Sequence, residues 1–98
     1  MTHPVVFTPA ARLDVTEARD WYGARSPAAM RRFVAEMDRQ IERIRENPAQ
    51  YPVVSADVRR VLLQRFPYAL LYRETAESVV VIACFHARRD PKVWRRRL

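Results

Sequence analysis

The sequence predicts an α+β domain of order β-α-α-β-β-β, in which a helical hairpin packs on a small, mainly antiparallel sheet. Three observations carry this expectation. Two apolar stripes of helical period follow one another, each opened by a hydroxyl–proline pair, Thr8-Pro9 and Ser26-Pro27. Residues 58–85 then hold three extended runs separated by short polar or proline-bearing joints. The last run, Val79 to Phe85, is unbroken and apolar, the length of a central strand buried on both faces.

Pro4 to Phe7 is a short extended segment that can join the sheet. From Thr8 onward, Ala11, Val15, Ala18 and Tyr22 recur at helical spacing, with Trp21 beside them. Trp21 and Tyr22 are expected between the helices and the sheet. Gly23 to Arg25 breaks this helix. Met30, Phe33, Met37, Ile41 and Ile44 form the longer second stripe, which ends at Asn47-Pro48 because proline disfavours helix in the residue before it. So short a joint between two amphipathic helices predicts an antiparallel hairpin. Ala49 to Asp57 is expected to be a loop anchored by Tyr51-Pro52. Val58 to Leu63, Tyr68 to Glu74 and Val79 to Phe85 are the remaining strands, with Thr75 to Ser78 closing an antiparallel hairpin. Pro67 must lie at a strand edge or turn. Alternation places Tyr68, Leu70 and Tyr72 on one face of the third run and Ala69, Leu71 and Arg73 on the other. One face packs on the helices; the other is expected to be concave and partly exposed.

Composition narrows the function classes. Ninety-eight residues make one domain with a single modest core. No window resembles a membrane span or a signal peptide, and the single Cys84 cannot close an internal disulfide, so a cytoplasmic protein is expected. His3, His86 and Cys84 are too few for a structural zinc site, and one glycine, Gly23, excludes Gly-rich phosphate loops. No cofactor and no metal are expected.

Charge is unevenly placed. Residues 1–49 carry eight arginines against seven acids, a net of +1, and residues 50–98 carry ten cations against four acids, a net of +6. Seventeen of the eighteen cations are arginine, whose fork suits phosphate and carboxylate oxygens. The basic half therefore implies an anionic partner, either nucleic acid or an acidic protein. The string from Phe85 into His86, Arg88, Arg89, Lys92, Trp94 and Arg95 to Arg97 delivers one imidazole and a cationic cluster to one edge of the sheet, although Arg95 to Arg97 can equally form a solvated tail.

The strings VRRVLLQRFPYALLYRE and VVVIACFHARRDPKVW, in this order behind a helical hairpin, resemble the RelE/ParE superfamily of bacterial toxins from type II toxin–antitoxin systems. The likeness covers almost the whole chain. It implies a small basic protein of the kind used in plasmid stabilisation, held inactive by an acidic, partly disordered antitoxin. The superfamily has two mechanisms. RelE-like members are ribosome-dependent mRNA endonucleases, which need a base, an acid and cations around a scissile phosphate. ParE-like members poison DNA gyrase and are not known as nucleases. The ParE-like branch is favoured here, with the mRNA endonuclease as the alternative and an inactive antitoxin-binding remnant as a second. Neither membrane association nor sequence-specific DNA binding by this chain alone is expected.

The site residues divide accordingly. For a nuclease, the set would be Arg65, Arg73, His86 and Arg88, with His86 as the only side chain whose ordinary pKa suits proton transfer near neutrality. The structural alternative for His86, packing beside Tyr72 or bonding a backbone carbonyl, is preferred. Ala69 departs from the nuclease pattern, in which a cation commonly precedes the aliphatic-Tyr segment; Arg65 or Arg73 would have to substitute. Tyr68 and Tyr72 can stack on bases, or Tyr72 donate a proton, but core packing is the simpler reading. For target or antitoxin binding, the expected residues are Arg59, Arg60, Arg73, Arg88, Arg89, Trp94 and Arg95. Trp94 is either an interface anchor or a clasp over the sheet. Cys84 is expected to be a small core residue.

Overall fold

Thr8 and Ser26 each open a helix as their hydroxyl–proline context predicts. In the computed structural model, which describes residues 3–88 and 91–98, Thr8 Oγ1 accepts the Ala11 N–H at 3.1 Å and Ser26 Oγ accepts the Ala29 N–H at 3.2 Å. Strand β1 (Val5–Phe7) leads into α1 (Pro9–Gly23) and α2 (Pro27–Glu46). A single 3₁₀ turn, Pro48–Gln50, is followed by β2 (Val53–Ser55), β3 (Val58–Leu62), β4 (Tyr68–Glu74), β5 (Val79–His86) and a short α3 (Pro91–Arg95). Gly23 matters for space, since a Cβ there would stand 3.0 Å from Met30 Sδ.

The five strands lie in the order β1-β5-β4-β3-β2. Only β1 and β5 run parallel, so the sheet is mainly antiparallel as expected. Both edges are three-residue strands, which offer little length for a foreign strand to pair with. The inner face of the sheet and the hairpin enclose Ala11, Phe33, Met37, Ile44, Leu70, Tyr72, Val79 and Val81, with Tyr22, Phe66 and Tyr68 packed against them. Tyr72 donates its hydroxyl to the Pro48 carbonyl, pinning the exit of α2 to the sheet.

One inserted residue sets the two faces of β5. Leu71 pairs with Ala83 but Tyr72 pairs with Val81, so Ile82 is a bulge. Val81 and Cys84 consequently join the inner core, while the adjacent Ile82 and Ala83 both face outward with Val58, Leu71 and Phe85.

Three expectations are corrected. Within the predicted loop, residues 53–55 form an edge strand, turned into β3 through Ala56 at φ 49°. Alanine gives no turn signal, and the pairing of β2 is irregular, which hid both. The outer face is not simply open: Trp94 of α3 packs against Ile82, Phe85 and their neighbours. Trp21 does not sit between helix and sheet; it is 49% exposed, with the Arg25 guanidinium 3.3 Å above its ring. Tyr22 alone fills that place, stacked on Phe33 with ring centroids 5.3 Å apart.

Candidate functional site

Strand register decides which predicted site residues meet. Tyr68 stands opposite His86 and Arg73 opposite Val80, so His86 and Arg73 lie at opposite ends of the β4–β5 pair. Five residues of strand separate these positions by about 17 Å. Arg73 is instead paired with Asp57 across 3.7 Å. Ala69, paired with Phe85 and Leu62, is 5% exposed and presents only a methyl group where a nuclease would place a cation.

His86 is half-buried at the loop end of the sheet. Its ring meets Tyr68 edge-on, centroids 5.5 Å apart, and its Nδ1 accepts the Arg88 N–H at 3.2 Å. The expected neighbour was Tyr72 and the expected hydrogen bond ran to a carbonyl; the register brings Tyr68, and the bond comes from an amide. A neutral ring making this bond carries its proton on Nε2. Arg65 and Arg88 are exposed at the same end, where the Ala87 N–H bonds the Pro67 carbonyl at 2.6 Å and ties the two loops together. Of the nuclease set, three residues therefore share an end and Arg73 does not.

The binding set is also divided. Arg59 turns inward: its Nη1 donates to the Tyr51 carbonyl at 2.6 Å and the Ala49 carbonyl at 3.2 Å, and its Nε lies 3.4 Å from Glu74. It braces the 49–51 loop. Arg60 is exposed and borders a shallow hollow on the outer face with Leu62, Leu71, Phe85, His86, Pro91 and Trp94. Trp94 is half-buried there, and the Arg95 guanidinium lies 5.6 Å from its ring centroid. Arg89 lies outside the described residues.

Tyr72 and Cys84 are structural. Burial raises the Tyr72 hydroxyl to about 12, with Arg59 opposing and Glu74 reinforcing the shift. Burial, then Asp14, likewise pushes the Cys84 thiol up to about 12, so it is no ready nucleophile. Among the described residues, no group of three His, Cys, Asp or Glu side chains is placed to hold a metal ion.

Two features rest on contacts that the sequence does not place. Arg97 is not solvated; it forks onto Asp14 at 2.5 and 3.1 Å and donates to the Ile82 carbonyl at 3.1 Å. Asp14 in turn accepts the Cys84 N–H at 3.0 Å. Past the end of β1, these two side chains satisfy the open edge of β5 as a further strand would. The second feature is a groove between α1, α2 and β1, lined by Phe7, Val15, Phe33, Val34, Met37 and Ile41, with Arg12 and Arg19 against Asp38 as its charged residues. Neither arginine belonged to the expected set.

A family model for the ParE toxin of the type II toxin–antitoxin system parDE matches residues 5–91. The chain belongs to the ParE toxin family. Its fold is shared with a solved chromosomal ParDE toxin–antitoxin system from P. aeruginosa, at a TM-score of 0.75 and 18% identity over 87% of this chain and 96% of that one. No curated protein matches. The matched span of this ParE-family toxin holds the groove, the β4–β5 pair and His86, while Trp94 and Arg97 lie beyond it.

Proposed function

We propose that this ParE-family toxin acts without catalysis, by docking on DNA gyrase, and that a cognate acidic antitoxin neutralises it. The observation that carries the non-catalytic part is the dispersal of the would-be nuclease set. Arg73 stands at the far end of the strand pair from His86, and Ala69 fills a cation's place. Proton transfer and phosphate stabilisation need their groups converged within hydrogen-bond reach of one reacting centre. The family match supports the gyrase branch. Docking would use the exposed basic end: Arg60 borders the hollow beside Trp94, Arg95 lies 5.6 Å from that ring, and Arg88 is exposed just past β5.

The antitoxin's place is the groove between the helices. Its apolar floor, with two arginines against one carboxylate, suits an amphipathic acidic segment that folds on binding, apolar face inward. In a cytoplasmic setting, the free toxin would then be limited by supply of that partner.

A second reading, ribosome-dependent mRNA cleavage, draws on the gathering of Arg65, His86 and Arg88 at one end. One paired assay separates the two. Purified protein is expected to block gyrase supercoiling or trap its cleavage complex, and to leave ribosome-bound mRNA intact. Ribosome-dependent cutting with gyrase untouched would reverse the assignment.

A further inference from the structure

We propose that the cleft between α2 and the β3–β4 connection is a phosphate-binding site. Ala29, Arg32, Ala35, Glu36 and Arg39 lie along one face of α2, and Gln64, Arg65 and Phe66 face them across a cavity of about 420 Å³. The two alanines leave the room; the three arginines supply the charge. Against them stands one carboxylate, so the cleft carries a surplus of +2, which suits an anionic phosphate group.

Glu36 builds the site. It is 1% exposed and accepts Nε and Nη2 of Arg39 at 2.9 and 2.6 Å, Nε2 of Gln40 at 2.9 Å, and the Gln64 N–H at 2.6 Å. Its charge is thus met from within the protein. The bonds to Arg39 orient that guanidinium at the cleft. The bond to Gln64 holds the loop against α2, with Arg65 next to it at φ 67°. This left-handed backbone is one that long side chains rarely adopt, and such conformations cluster at ligand clamps. The side chains of Arg32 and Arg65 make no hydrogen bond or ion pair with any described residue. Phe66, met edge-on by Tyr22 at 5.0 Å and Phe33 at 5.3 Å, closes the inner wall.

Two open forks, Arg32 and Arg65, beside the Glu36-held Arg39 guanidinium favour phosphate over the carboxylates of an acidic helix, because a phosphate offers several acceptor oxygens at one point. The groove on the other side of α2, lined mainly by apolar side chains, suits an amphipathic peptide better, whereas three of the eight residues lining this cleft are arginines. The phosphate can come from a free nucleotide or from a nucleic-acid backbone. The inference does not depend on the toxin's target.

The test uses the full chain. ATP and a fluorescent single-stranded oligonucleotide are titrated separately and in competition, against wild type, Arg32→Gln, Arg32→Gln/Arg65→Gln and the tail control Arg96→Gln, which matches the single cleft variant in charge. Thermal unfolding checks each variant's fold. The cleft variants are expected to weaken phosphate binding about tenfold per fork removed, with the tail control within about threefold of wild type. Each cleft arginine lost should also lower the salt slope by about one for the oligonucleotide. Binding of ATP that displaces the oligonucleotide assigns both to the cleft, and binding of one alone identifies the source. Equal losses in the cleft and tail variants, or no binding of either ligand to wild type, would overturn the proposal. Arg32→Gln, at an exposed helix position away from the strained loop, keeps the test decisive should the double variant fold poorly.

Discussion

Asp14 and Arg97, 83 residues apart, form a bidentate pair that closes the edge of β5 and fastens the C-terminal basic segment to α1. Arg97 also lies over the Phe85 ring, its guanidinium carbon 4.7 Å from the centroid. The arginine run therefore contains both a structural residue and exposed ones, and substitutions within it should have unequal effects.

Asp14→Ala is expected to cost roughly 2–3 kcal/mol, since it orphans the Cys84 N–H as well as Arg97. Arg97→Ala should cost less, about 1–2 kcal/mol, because Asp14 retains the Cys84 amide. Arg96→Ala, at an exposed position, should change stability by less than about 0.5 kcal/mol. Urea unfolding of the three variants measures this order. Equal costs at residues 96 and 97 would contradict it.

Glu36 governs stability in acid. Burial alone would raise its pKa, but the Gln64 N–H, Gln40, and the hydrogen bonds and charge of Arg39 outweigh burial and leave it below the ordinary 4.5. A lowered folded-state pKa stabilises the fold fully above the unfolded value and loses that contribution as pH falls through the folded one. Wild type should therefore weaken as pH drops below the ordinary carboxylate range. Glu36→Gln should be less stable near neutrality, by about 1–3 kcal/mol, and show a flatter acid limb. Parallel acid limbs in denaturation curves of the two proteins would exclude this role.

Much of the fold was legible because its signals are local. The hydroxyl–proline caps, the stripe through Phe33, Met37 and Ile44, and the alternation of Tyr68, Leu70 and Tyr72 each depend on neighbours a few residues away. What was missed depends on register. That His86 meets Tyr68 follows only once the β4–β5 alignment is known, and the Ile82 bulge that sets it leaves no mark in an all-apolar run. Glu36 and Gln40, 1% and 2% exposed, are indistinguishable by composition from the solvated charges around them. The candidate site suffered most, because arginines are abundant and only geometry separates the brace Arg59 from the exposed Arg60.

Toxicity should survive His86→Gln. Loss of a true acid–base group typically costs on the order of 10²–10⁴ in rate, so a nuclease would be silenced. Arg88→Glu or Trp94→Ala should reduce toxicity far more, since anchors and desolvated cations dominate interfaces. Growth assays with graded expression, alongside thermal unfolding of each variant, test this ranking. A His86→Gln protein that folds and binds antitoxin normally yet is harmless would return the chain to the nucleases.

Antitoxin association should weaken markedly from low to high salt, through a slower on-rate, because the groove's arginines and the basic half attract an acidic partner at a distance. Arg12→Glu/Arg19→Glu should weaken it at low salt and flatten the dependence. Stopped-flow mixing gives both rates. An on-rate indifferent to salt would exclude electrostatic steering.

The parallel pairing of β1 with β5 has a consequence for synthesis. The first strand's partner is the last strand to be made, so Val5 to Phe7 must wait, unpaired, until Val79 to Val81 has left the ribosome. The Asp14–Arg97 closure waits longer still. A nascent or truncated chain lacking residues 79–98 would present an unclosed hairpin without its sheet centre, its β1 and β4 both left without β5, the strand that pairs with each of them.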